Sequence, residues 1–105
     1  MDLAPDEPLA VYQLARELVV AGRANEAAPL ALQMLRIAPY SPLVHETVAS
    51  VAMQLGLCVD ALRSQQRAID TLSDLAPPRA RERRERVLAE YQQRCSAAPP
   101  APPRP

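Results

Sequence analysis

The sequence predicts an all-α protein of antiparallel helix pairs stacked as a short solenoid, and three observations carry that expectation. First, one unit is written twice: Pro8 recurs as Pro42, Ala15 as Ala49, Gly22 as Gly56 and Ala27 as Ala61. A fixed period with small residues at matched places marks a repeat architecture. Second, each copy holds two amphipathic runs with its glycine between them. Third, the chain has no Phe and no Trp. Aromatic side chains bury the most area per residue, so a core here must come from closely approaching Ala- and Leu-rich helices.

In the first copy, Glu7-Pro8 opens a helix, because proline at the first helical position presets φ and removes no needed donor. Val11, Leu14, Ala15, Leu18 and Ala21 follow the spacing of one buried stripe. Gly22 ends the helix by taking the left-handed conformation, and Asn25 is the expected N-cap of the next. That second run carries Ala27, Leu30, Ala31, Met34, Leu35 and Ala38. Pro29 is tolerable there only near the helix start.

The second copy opens with Ser41-Pro42, a cap followed by the favoured first proline. Leu43, Val44, Val48, Ala49, Ala52 and Leu55 make its first stripe, which Gly56 ends. Ala61, Leu62, Ala68, Ile69, Leu72 and Leu75 make its second, until Pro77-Pro78 stops it. The expected layout is a flexible start (1–7), two repeats (8–41 and 42–75), a C-terminal capping helix (78–95) and a disordered Pro/Ala-rich tail (96–105).

The capping helix has a narrow apolar face of Ala80, Val87, Leu88, Tyr91 and Cys95. Along it, pairs such as Arg81–Glu85 and Glu90–Arg94 each offer about 0.2–0.5 kcal/mol. A wet outer helix suits the end of a repeat stack. Two sharper readings stand beside that one: an anionic partner for its arginines, and self-association through Val87 and Tyr91. The tail holds Pro99-x-x-Pro102-x-Arg104, the form of a polyproline ligand, in a composition that yields such strings by chance.

Charge excludes several function classes. Twelve Arg balance twelve Asp plus Glu, which gives no general pull toward nucleic acid or anionic membranes. The acidic start lacks the pattern of a signal peptide, and no run approaches a membrane span. Cys58 and Cys95 form no CxxC, and two cysteines are not read as a disulfide framework. A soluble, cytoplasmic protein is the expectation. His45 is the lone histidine and is read as a packed helix residue. No third group completes a base with Ser41, metal ligands are too few, and the glycines make no phosphate loop. The chain is therefore expected to be no enzyme and to hold no cofactor and no metal.

With Pro8 as first position, Val11, Leu14, Ala15, Leu18, Ala27, Met34 and Pro39 fall where the tetratricopeptide repeat favours large, Leu, small, large, Ala, Ala and Pro. The second copy places His45, Val48, Ala49, Ala52, Ala61, Ala68 and Ser73 there, departing at its fourth, seventh, eleventh and thirty-second places. The chain resembles that family over about two thirds of its length. The stretch GLCVDALRSQQRAIDTL also resembles the helical-repeat domain of bacterial transcriptional activators.

The resemblance implies a concave groove lined by the first helix of each repeat. Carried over by position, the lining is Leu9, Tyr12, Gln13, Arg16, Val19 and Val20, then Leu43, Glu46, Thr47, Ser50, Met53 and Gln54. Tyr12 and Arg16 stand where the carboxylate-clamping subfamily has Lys and Asn, so that activity is not implied. The function expected is a non-catalytic protein–protein interaction module: an adaptor, a client chaperone or an accessory subunit that binds a segment of another protein. Alternatives are a homo-oligomer, at simplest a homodimer, stacking through open repeat ends, and a regulatory domain working with a DNA-binding protein.

Overall fold

Three prolines and two glycines divide the chain into five helices. The structure is a computed structural model that describes residues 8–97. The helices are α1 (Pro8–Val20), α2 (Ala24–Ile37), α3 (Pro42–Gln54), α4 (Cys58–Asp70) and α5 (Pro78–Ala97), with no strand among the described residues. The expected flexible start (1–7), including the absence of a signal peptide read from it, lies outside the described residues. So does the tail from 98 onward with its Pro99–Arg104 motif. Among the described residues no helix is long and apolar enough to cross a membrane.

α1, α3 and α5 each begin on proline, where the missing N–H is one the first turn leaves unpaired anyway. Ser41 caps α3 by accepting from the Val44 N–H at 3.4 Å. The two glycine turns are the same motif. Gly22 donates to the Val19 carbonyl and Arg23 to Leu18; Gly56 donates to Met53 and Leu57 to Ala52. Both glycines stand at φ +75°, the left-handed C′ residue of a Schellman turn. A Cβ at Gly56 meets nothing within 4 Å, so Gly56→Ala has only the backbone cost. That cost is about 1–2 kcal/mol, to be read as a lowered urea midpoint with an unchanged slope.

The recurring alanines are where the helices meet. Ala15, Ala27, Ala49, Ala61 and Ala68 have no exposed surface at all. A larger side chain at any of them would push two helices apart. One core cluster joins Val11, Ala15, Met34 and Val44 from α1, α2 and α3. Another joins Ala24, Ala27, Ala31 and Val51. Consecutive helices pack on one another along the chain, and α1 also touches α3.

Five expectations need correction. α2 starts at Ala24 behind Arg23, which makes no side-chain cap, so Asn25 is not the N-cap. Instead Arg23 pairs with Glu26 across the first turn, and its hydrogen bond holds the Glu26 carboxyl below the ordinary range. α4 stops at Asp70, well before Pro77, and Leu75 is 94% exposed. Thr71 and Leu72 already fold back onto the Arg67 and Ile69 carbonyls, which ends the helix without proline. Leu14 is 48% exposed, and Ala21, Leu43 and Leu55 of the expected stripes are exposed as well. α5 runs to Ala97, past the expected end at 95.

The fifth concerns the cysteines. Cys58, the first residue of α4, is joined by a disulfide to Cys95 near the end of α5, with Cα atoms 5.9 Å apart. The two residues are 37 positions apart, and only the antiparallel return of α5 along α4 brings them together.

Candidate functional site

Two concave surfaces flank the α3 helix. On one side α1 and α3 form the walls of a cleft of about 370 Å³, and Arg83 of α5 closes it. Val19, Val20 and Leu43 supply its apolar part. Thr47 is buried at its floor, with its hydroxyl donating to the Leu43 carbonyl at 2.9 Å. Glu46 receives Arg83 at 3.2 Å and Arg84 at 3.3 Å. Arg16 lies 5.9 Å from the Tyr12 ring centroid, a cation–π distance.

Leu9, Gln13 and Val20 continue this surface over the outer side of α1, around a second hollow that shares Tyr12 and Arg16. Leu9 and Val20 are 60% and 83% exposed, so each leaves most of its apolar surface in water.

Besides Glu46 and Thr47, three more of the twelve residues expected to line a groove make contacts within the protein. Met53 contacts Cys95, sulfur to sulfur, at 3.9 Å. Gln54 Nε2 donates to the Val19 carbonyl at 2.6 Å, tying α3 to α1. Ser50 lines the cleft, donates to the Glu46 carbonyl and reaches the Tyr91 hydroxyl at 3.4 Å. The Met53–Cys95 and Ser50–Tyr91 contacts follow from α5 lying across the end of α3. Arg83 is the lining residue that sequence reasoning missed, since only the docking of α5 puts it there.

The other surface is a cleft of about 410 Å³ between α2 and α4, floored by α3. Leu32, Leu35, Val48, Leu55 and Leu57 make it apolar, and Asp60, Arg63 and Arg67 edge it along α4. Its signal was present in the sequence: Leu32 and Leu57 are large apolar residues off both buried stripes. His45 borders this cleft but is 3% exposed, and its Nε2–H donates to the Pro39 carbonyl at 2.7 Å. That bond fixes the ring as a staple between α3 and the preceding turn.

Among the described residues no three His, Cys, Asp or Glu side chains gather as metal ligands. No family model, no curated protein and no solved structure matches the chain.

Proposed function

We propose that this chain is a tetratricopeptide-like helical module that binds a segment of another protein along the α1–α3 face, without catalysis. The observation that carries this reading is the cleft itself. It combines exposed apolar walls at Val20 and Leu43 with a polar, hydrogen-bonded floor and arginines at the rim. An apolar patch rimmed by polar groups is the form of a recognition surface, and the identical glycine turns of the two helix pairs support the repeat reading. Cytoplasmic residence belongs to the same proposal, subject to the disulfide, which in that compartment is usually transient.

The test uses residues whose loss leaves the core alone. Val20→Asp with Leu43→Asp should abolish retention of the native partner when the tagged chain is isolated from its own cells, while the circular-dichroism spectrum stays that of the wild type. Undiminished retention of the same partner by the double variant would end the groove reading.

A second reading has one observation in its favour. Leu14, on the expected buried stripe of α1, is 48% exposed. Stacking of two copies through the first helix pair would bury it. A monomeric mass in solution at high concentration would exclude it.

A further inference from the structure

The α5 helix is held to the rest of the protein differently from the other four. Of its apolar side chains Tyr91 alone is buried; Ala80, Val87 and Leu88 are half-buried. The middle of the contact is polar. Gln65 of α4, with no exposed surface, donates from Nε2 to the Arg84 carbonyl at 3.1 Å. Its Oε1 has no partner. Arg84 is 5% exposed; its Nε lies 3.3 Å from Glu46 Oε2, yet the two are not aligned for a hydrogen bond. All three buried side-chain atoms without a hydrogen bond among the described residues, Gln65 Oε1, Arg84 Nε and Glu46 Oε2, therefore lie where α5 meets α3 and α4. Buried polar atoms left unbonded weaken the contact that buries them.

The same contact carries the disulfide. It ties the last turns of α5 to the first residue of α4, and both cysteines are half-buried rather than enclosed. A thiol reagent can therefore reach the bond. A cross-link opposes opening by restricting the freedom of the opened chain, and it matters most where the remaining contact is weak.

We infer that α5 is a redox-controlled flap: clamped across α3 and α4 while Cys58 and Cys95 are joined, and released when a dithiol reductant cleaves them. A thiolate of the reductant attacks one cysteine sulfur, forms a mixed disulfide and expels the other cysteine as a thiolate. The second thiol of the reductant then displaces the first cysteine. Two electrons and two protons pass to the protein, which ends with two thiols, and the reductant ends as a disulfide. Release uncovers Met53 and Ser50 on α3 and Gln65 on α4, and it withdraws Arg83 from Glu46. The inference does not depend on what binds the α1–α3 face.

The test is hydrogen exchange followed by mass spectrometry on the full chain, air-oxidised and then reduced with dithiothreitol. Reduction should speed exchange of α5 amides at least about tenfold, while α1 and α2 keep their protection. Reoxidation with oxidised glutathione should restore α5. A Cys58→Ser variant should match the reduced protein under both conditions. Three results would overturn the inference: two free thiols in the air-oxidised chain, unchanged α5 exchange on reduction, or loss of protection in all five helices together. If the variant fails to fold, the reduction experiment on the wild type still decides between these outcomes.

Discussion

Met34→Ala should cost about 2–5 kcal/mol of folding stability, the range for deleting a large side chain from a core that cannot close over the gap. Met34 is 2% exposed and sits among Val11, Ala15 and Val44, with Tyr12, Leu30 and Leu35 around them. The corresponding residue of the second copy is already alanine, at Ala68, and it too is wholly buried. If repeat position alone governed the residue, alanine would serve at both places. Packing says otherwise, because the helices around Met34 are spaced for its side chain and those around Ala68 are not. Ala68→Met should therefore also destabilise, by about 1–3 kcal/mol through overfilling. Met34→Leu keeps the volume and should cost less than about 1.5 kcal/mol. Urea unfolding of the three variants measures all of this, and a neutral Met34→Ala would show that the first core cluster is not where the stability resides.

These two positions show why part of the fold was legible and part was not. The period was visible because its alanines mark helix crossings, where a methyl group is the largest that fits, and because its glycines take a backbone conformation that other residues resist. Such constraints are local or nearly so, and they write themselves into single positions. The ends of α2 and α4 were less legible. Arg23 and Thr71 sit at those ends without a strong capping signature, and the chain turns there through backbone hydrogen bonds that many residues can make.

The docking of α5 was least legible of all. Its narrow apolar face was readable from Val87, Leu88 and Tyr91. Its buried Arg84 was not, since an arginine in a charged run reads as solvated. Likewise nothing in the spacing of Cys58 and Cys95 foretold their pairing, because a bond across two antiparallel helices depends on where the second helix is laid. The same dependence explains the surface on α1 and α3. Tyr12, Val19 and Met53 are noticeable as apolar residues off the stripe, whereas the contacts that Ser50, Met53 and Gln54 make depend on neighbours far away in sequence.

Glu46→Ala should be the most damaging change outside the apolar core, at about 3 kcal/mol. Its carboxylate faces Arg83 and Arg84, and the Arg84 side chain is only 6% exposed. Removing the acid leaves a buried guanidinium with its Nη1 bond to the Ala80 carbonyl at 3.2 Å and no counter-charge. An uncompensated buried charge costs more than its pair contributes, since most of the attraction in an ion pair offsets the desolvation of both groups. It follows that removing both charges should hurt less than removing one. Glu46→Leu with Arg84→Met replaces the pair by apolar side chains and should recover most of the loss, or exceed the wild type. Arg83, half exposed, can turn to water in either variant. Urea midpoints of the single and double variants give the comparison, and a double variant as unstable as Glu46→Ala would mean that the ion pair itself, not the stranded arginine, holds α5 against α3.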